Sequence, residues 1–189
     1  MPRLLQFASN TFVEAAIRRN LALSAIEATD NEWLSYKERY VERQAAVAQA
    51  SPFLPEHFHW RWSRKVRFYQ GRSGYEFLGI ECENRLQGIL LLDYTRLARP
   101  PEQIGLPLVY IDYLATAPWN LPNLTTTPEF TGVGRALFVA AYEESLALGF
   151  QGRIGLHSLP QSEGFYQKLK MIDMGQDRQY HDLHYFERE

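Results

Sequence analysis

The sequence predicts an α/β domain with a mixed sheet and a helical N-terminal extension. Three observations carry this prediction: a helix-like spacing of apolar residues before residue 50, a pair of apolar strands joined by a short turn, and a strand followed by a glycine loop and an amphipathic helix. With 189 residues, 46% of them hydrophobic, the chain has the length and apolar content of one domain with its own core. We therefore expect one domain over residues 1–189.

Charge and cysteine content limit the expected partners and surroundings. A net charge of −2 gives no general attraction to nucleic acid or to an anionic membrane, so neither is expected as a partner. The single Cys82 excludes an intrachain disulfide framework and a thiolate metal site. Met1–Phe7 lacks the long apolar core of a signal peptide, and no apolar run approaches membrane-spanning length. We expect a soluble, cytoplasmic protein.

The N-terminal segment from Thr11 to about Ala50 has a helical pattern. One face is traced by Phe12, Ala15, Ala16, Arg19 and Leu23. Asn10 or Thr11 can cap its start, and Thr29-Asp30 is typical of a second helix start. The pattern thus predicts two helices, or one long helix broken near Thr29, with the run ending at Ser51-Pro52.

An alternating aromatic segment, His57–Trp62, follows, with a run of basic residues behind it. On a strand, His57 and His59 would point to the same side, as a metal pair requires. No third ligand is evident nearby, so no metal site is expected. The basic residues could contact nucleic acid or an anionic ligand, but on so neutral a chain a solvated edge is favoured.

The rest of the chain alternates strands and helices. In order, the pattern predicts a hairpin over Glu76–Tyr94 with its turn at Asn84-Arg85, a strand over Leu108–Ala115, a helix ending at Leu148 before Gly149, a strand over Arg153–Ser158, a short helix over Gln161–Leu169, and one or two strands between Met171 and Glu189.

The two glycines ahead of the long helix, Gly132 and Gly134, form the most informative motif. Glycine lets a backbone approach an anion closely, and the first turn of a helix has N–H groups with no intrahelical partner. This order of strand, loop and helix suits a phosphate. The alternative is that the glycines only shape a tight loop, because two glycines alone are weak evidence.

Four stretches of the C-terminal half follow one another in an order that is typical of one protein family. They are the hairpin ending in Leu86–Leu90, the strand end Tyr113–Pro118, the glycine loop with its helix, and Gly164–Leu169, which contains a Tyr-x-Lys-Leu sequence. Together they resemble the GNAT superfamily of acyl-CoA-dependent N-acetyltransferases. The resemblance covers about residues 75–189 and implies an acyl-CoA-binding core there, after a helical part over residues 1–70. It also implies a mostly antiparallel mixed sheet flanked by helices.

The resemblance implies an enzyme that moves an acetyl group from acetyl-CoA, its cosubstrate, to a small or peptidic amine. The pyrophosphate would be held by the backbone of Gly132, Val133, Gly134, Arg135 and Ala136. The pantetheine arm would pair with exposed backbone groups of Leu114, Ala115 and Thr116, and an N–H near Ala115 would polarise the thioester carbonyl.

Catalytic roles follow from the same resemblance. Tyr166 matches the family's Tyr and would act as general acid toward the departing thiolate, although a core tyrosine is the alternative. The resemblance places Tyr110 at the position of the family's basic carboxylate, whereas Asp112 lies two residues on and points to the same face of the strand. Asp112 is therefore the candidate base or, equally, a structural hydrogen-bonding partner. Weaker candidates are Glu81, Glu83 and His157.

Departures from the family pattern keep other functions open. Glu129 stands where the family's loop usually begins with Gln or Arg, although Arg135 could compensate, and an insertion follows Pro118. A degenerate protein that binds acyl-CoA as a sensor is one alternative. Another is an interaction module that pairs through its N-terminal helices and the aromatics around Trp33 and Trp60, with a homodimer as one outcome. The amine acceptor has no readable motif.

Overall fold

The computed structural model describes residues 1–47 and 54–188. In chain order, the strands and α-helices of these residues are β1 (Arg3–Gln6), β2 (Thr11–Glu14), β3 (Ala16–Arg18), α1 (Leu23–Val47), α2 (Trp62–Tyr69), β4 (Tyr75–Cys82), β5 (Arg85–Asp93), β6 (Val109–Thr116), β7 (Phe130–Thr131), α3 (Val133–Ala147), β8 (Ile154–Ser158), α4 (Glu163–Lys168), β9 (Ile172–Asp177) and β10 (Leu183–Arg188).

The main sheet has seven strands in the order β3-β4-β5-β6-β8-β10-β9. Its neighbouring strands pair antiparallel except β6 and β8, which pair parallel. A smaller sheet joins β2, β1 and β7. The predicted α/β class, with a mixed and mostly antiparallel sheet flanked by helices, is confirmed.

The interior strand β5 separates two apolar cores. Leu90 and Leu92 face the core beneath α3, whereas Ile89 and Leu91 face a second core that includes residues of α1 and α2. Both pairs are fully buried, as the almost continuous apolar run of this strand predicts. At Gly88 a Cβ atom would lie 2.8 Å from Leu137 Cδ1 and 2.9 Å from Val133 Cγ1, so a larger residue would force these side chains of α3 to shift.

The prediction of a helix from Thr11 is wrong, because residues 11–18 form strands β2 and β3. β2 pairs with β1, and β3 extends the main sheet by pairing Ala16 with Glu81 and Ile17 with Ile80. The supposed helical face consists largely of alanine and arginine, so it offered little apolar area to bury. Pairing with β4 instead satisfies the backbone, and Arg18 adds a 2.7 Å ion pair with Glu81.

The predicted break near Thr29 is also wrong, because α1 runs through it without interruption. Asp30, which the sequence indicates as a helix cap, does cap a helix. The buried Asp30 carboxylate accepts hydrogen bonds from the N–H groups of Trp62 (2.9 Å) and Ser63 (2.7 Å), and so caps α2 instead of its own helix. The predicted end of the run at Ser51-Pro52 lies outside the described residues.

The aromatic segment His57–Trp62 is not a strand. Residues Glu56–His59 form a 3₁₀ turn, and α2 begins at Trp62. The aromatic alternation reflects burial on the second core, which Trp60 and Trp62 both contact. Each predicted element after residue 75 is confirmed, although the hairpin turn lies at Glu83-Asn84, whose φ angles are 52° and 60°. Such angles are typical of a tight two-residue hairpin turn.

Within the described residues, no helix is both long enough and apolar enough to cross a membrane.

Replacing Asp30 by alanine should lower the free energy of unfolding by roughly 2 kcal/mol, because two N–H groups at the start of α2 lose their acceptor. Urea unfolding measures this loss. Glu38→Ala, at an exposed position of the same helix, is the control and should change little. Equal stability of the two variants would show that Asp30 does not hold α2.

Candidate active site

The parallel strands β6 and β8 diverge within the sheet. Their pairing runs from Val109 and Ile154 to Ile111 and Leu156, but β6 continues to Thr116. On the other edge of β6 the register shifts at Asp112, since Leu92 pairs with Ile111 and Leu91 with Tyr113. This β-bulge bends the strand. A cavity of about 340 Å³ opens between the two strands.

Hydrogen bonding along β6 decides which backbone groups face the cavity. The N–H of Ala117 donates to the carbonyl of Gln87 (2.8 Å), and such bonds alternate along an antiparallel pair. The N–H of Ala115 therefore faces β5, not the gap, and Leu114 and Thr116 present their backbone groups to it. Thr116 also has a buried Oγ1 atom with no partner among the described residues. The opening thus has unused polar groups along one wall.

The glycine loop forms the second wall. Gly132 has a φ of 87°, in the left-handed region that favours glycine, and it precedes the first residue of α3. The first helical hydrogen bond runs from Ala136 N–H to the Gly132 carbonyl (2.9 Å). Among the described residues, the N–H groups of Val133, Gly134 and Arg135 have no acceptor. An anion could bind these groups.

The ten residues that the sequence marks as a candidate site divide between two cavities. The opening between β6 and β8 is lined by Asp112, Leu114, Ala115, Thr116, Gly132, Val133, Gly134 and Tyr166. Arg135 and Ala136 instead line a neighbouring cavity beside α3. Glu129, the departure from the family pattern, pairs with Arg85 at 2.9 Å, which offsets its charge near the loop.

Tyr166 lies on α4 and is buried, with only 7% of its surface exposed. Burial alone raises the pKa of its hydroxyl well above the usual range, so the group stays protonated at neutral pH. Its hydroxyl makes no hydrogen bond with another described residue, although Tyr166 lines the cavity. It is therefore placed as a proton donor that a ligand can reach.

Asp112 is held at the bulge by the Tyr69 hydroxyl, which donates to its Oδ2 at 2.6 Å. Burial is the main effect on Asp112 and raises its pKa, while the hydrogen bond from Tyr69 opposes that rise. The raised pKa makes this carboxylate a stronger base than one in water. The hydrogen bond shows that Asp112 also has the structural role that the sequence left open.

The wall around Asp112 is aromatic and contains a lysine. Lys65 Nζ lies 3.1 Å from the ring centroid of Tyr113 and 4.5 Å from that of Trp60. Burial lowers the pKa of Lys65 to about 8. Burial likewise lowers the pKa of His57 to about 4, so that histidine is neutral at physiological pH. Trp60 and Tyr113 line the cavity, so a ligand at this wall meets aromatic faces; Lys65 packs against both rings but is not itself a lining residue.

The weaker candidate bases are engaged elsewhere. His157 lines the cavity, but its Nδ1 contacts the Tyr110 hydroxyl at 2.6 Å and its Nε2 contacts Asp177 at 3.1 Å. Both ring nitrogens are thus occupied. Glu81 pairs with Arg18, and Glu83 accepts a hydrogen bond from Gln6, both away from the cavity.

The insertion after Pro118 forms a wall that no sequence motif indicates. Fully buried Gln87 accepts hydrogen bonds from Trp119 Nε1 (2.8 Å) and Asn120 Nδ2 (2.9 Å). Asn120 Oδ1 then accepts from the Phe130 N–H at 2.8 Å, just ahead of the glycine loop. The insertion and the loop are therefore fixed to β5. The apolar composition of Leu121 and Pro122 is the only signal in the sequence that could have placed them here.

Residues 1–47 and 54–188 contain no group of three or more His, Cys, Asp or Glu side chains that could hold a metal ion.

Comparison with known proteins shows structural but not sequence relatives. No family model matches the chain, and no curated protein does. PaiA N-acetyltransferase from Thermoplasma acidophilum, solved with coenzyme A, is 16% identical with a TM-score of 0.53, covering 94% of this chain and 99% of its own. An acetyltransferase from Thermus thermophilus is 12% identical with a TM-score of 0.55, covering 93% and 97%.

A third solved structure is a candidate acetyltransferase of the GNAT family from Desulfovibrio desulfuricans. It is 15% identical with a TM-score of 0.54, and covers 93% of this chain and 99% of its own. At such identities the likeness establishes the fold, which is that of the GNAT acetyltransferases.

Replacing Tyr69 by phenylalanine should raise the pKa of Asp112 further, because the hydrogen bond from Tyr69 stabilises the charged carboxylate. A ¹³C carboxyl titration by NMR measures the shift. Tyr75→Phe is the control, since its ring packs 4.6 Å from that of Tyr69 but its hydroxyl makes no bond to Asp112. An unchanged Asp112 pKa in Tyr69→Phe would contradict the assigned hydrogen bond.

Proposed function

We propose that this chain is an N-acetyltransferase that moves an acetyl group from acetyl-CoA to an amine. The observation that carries the proposal is the divergence of β6 from β8 beyond Ile111 and Leu156. The glycine loop, Asp112 and Tyr166 all line the opening that this divergence creates. One cavity would thus combine an anion site, a base and a proton donor.

The residues that line the two walls of the opening suit acetyl-CoA, the acetyl donor. The free N–H groups of Val133, Gly134 and Arg135 would bind the pyrophosphate. Leu114 and Thr116 would pair with the amides of the pantetheine arm as an added strand does, and the buried Thr116 Oγ1 would gain a partner. The fold supports this assignment, and PaiA, one of the proteins that share it, binds coenzyme A.

The reaction needs an uncharged amine and a stabilised leaving group. Asp112, with its raised pKa, would take the proton of the attacking ammonium. A nitrogen–carbon bond then forms at the acetyl carbonyl and the carbon–sulfur bond breaks. Tyr166, protonated at neutral pH, would give its proton to the thiolate, and the second proton that the nitrogen loses as the amide forms would restore the Tyr166 hydroxyl. A backbone N–H of Leu114 or Thr116 would hydrogen-bond the carbonyl oxygen as negative charge develops on it.

The acceptor would enter between the insertion and the aromatic wall. Leu121, Pro122 and Trp60 line this side of the opening, together with His57. The acceptor class that fits is a small or peptidic amine with an apolar portion near its amino group.

Calorimetric titration with acetyl-CoA and with CoA tests donor binding. We expect the wild type to bind both ligands, and Gly134→Trp to weaken binding at least about tenfold because the new side chain would fill the opening beside Phe165 and Thr116. Leu146→Trp, at an exposed position farther along α3, is the matched control and should bind as the wild type does. A wild type that binds neither ligand would contradict the proposal.

Steady-state rates over an amine panel test the catalytic roles. Asp112→Asn and Tyr166→Phe should each lower kcat by about 10²–10⁴-fold with donor affinity nearly unchanged. The acid limb of the wild-type pH profile should lie above the usual range of a carboxyl group and vanish in Asp112→Asn, since burial raises that pKa. Tight donor binding without turnover of any amine would favour an acyl-CoA sensor instead.

A further inference from the structure

A second cavity, of about 660 Å³, lies between the N-terminal hairpin β1–β2 and the outer face of α3. It shares Thr131 and Gly132 with the opening between β6 and β8. We infer that this cavity binds the 3′-phosphoadenosine end of the donor whose pantetheine arm enters the opening. The inference rests on the proposed function and assigns a nucleotide-recognition role to the N-terminal hairpin.

The connection between the two cavities follows from the shape of the donor. CoA is a linear molecule with its pyrophosphate between the pantetheine arm and the nucleotide. If the pyrophosphate lies on the glycine loop and the arm points toward Asp112 and Tyr166, the nucleotide leaves on the other side of the loop. The second cavity begins there, at Gly132, and continues along α3 past Ala136 to Val139 and Ala140.

The N-terminal hairpin pairs with the residues directly before the glycine loop. β1 pairs with β7, matching Leu5 with Thr131 and Gln6 with Phe130, immediately before Gly132. The Phe7 N–H also donates to the Glu129 carbonyl at 3.0 Å. These contacts hold the hairpin at a fixed distance from the phosphate site, so a ligand can contact both.

The lining suits a purine and a phosphate. Leu5, Ile17 and Val139 give apolar surface, and the Phe12 ring, 67% exposed, offers a face for base stacking. Arg3 and Arg135 bring two positive charges, with the Arg3 guanidinium carbon 5.7 Å from the centroid of the Phe12 ring.

Charge at this cavity favours an anion. Among the described residues, neither Arg3 nor Arg135 forms a salt bridge or a side-chain hydrogen bond, and the cavity contains one acid, Glu143. Arg135 also lies in the first turn of α3, where the helix dipole disfavours a cation and no acidic side chain offsets it. A doubly charged 3′-phosphate would neutralise both arginines.

Three ligands separate the parts of the donor: CoA, dephospho-CoA, which lacks the 3′-phosphate, and 4′-phosphopantetheine, which lacks the nucleotide. By calorimetry, the wild type should bind CoA about tenfold or more tightly than dephospho-CoA. Arg3→Gln and Arg135→Gln should each reduce this ratio toward one. Arg178→Gln, an exposed arginine outside both cavities, should keep it.

Two alanine variants on the N-terminal hairpin, one inside the cavity and one outside it, test whether Phe12 stacks on the base. Phe12→Ala should weaken CoA and dephospho-CoA alike while leaving 4′-phosphopantetheine unchanged, whereas Phe7→Ala, exposed but outside the cavity, should alter none of the three. Hydrogen exchange adds a readout that needs no variant. CoA should protect β1 and β2, and 4′-phosphopantetheine should not.

The outcomes distinguish this inference from the proposed function. Equal wild-type affinities for CoA and dephospho-CoA, or a ratio that both arginine variants leave intact, would overturn the nucleotide site while the acetyltransferase proposal stands. A wild type that binds none of the three ligands would overturn both.

Discussion

The end of β6–β8 pairing after Ile111 and Leu156 is the constraint on which the site depends. A strand that continues without its neighbour leaves N–H and C=O groups unpaired, and such groups are costly unless water or a ligand satisfies them. The bulge at Asp112 bends β6 where its pairing with β8 ends. The opening is therefore fixed by the strand pairing of the sheet, and its unpaired backbone groups are what the proposed acetyl-CoA site depends on.

The N-terminal part completes the site from two directions. α1 and α2 pack on β5 in the second core, Asp30 links the two helices, and Trp60 of the aromatic wall lies just before α2. The segment after β3 is tied to the core by Arg19, which pairs with Glu144 of α3 and with Glu76 of β4. Burial in the cavity between β6 and β8 raises the pKa values of both Asp112 and Tyr166.

Prediction from the sequence succeeded where apolar patterns were strong and local. The run Ile89–Leu92 of β5 is apolar, and two glycines mark the start of α3, Gly132 before its first residue and Gly134 in its first turn, so both elements were identified correctly. Prediction failed between Thr11 and Arg18, where the spacing of small and charged residues resembled one face of a helix. There, pairing with neighbouring strands decided the conformation. Thr29-Asp30 shows the same limit, because its capping group serves a helix that lies distant in sequence.

Local propensity and short motifs were enough to predict the order of elements after residue 75, the glycine loop and the grouping of most candidate residues. It took the folded sheet to show that the backbone groups of Leu114 and Thr116, not those of Ala115, face the opening, and that Arg135 lines a second cavity. Those outcomes depend on strand register, on where pairing stops, and on how the hairpin packs against α3. They are long-range contacts, which no local pattern in the chain records.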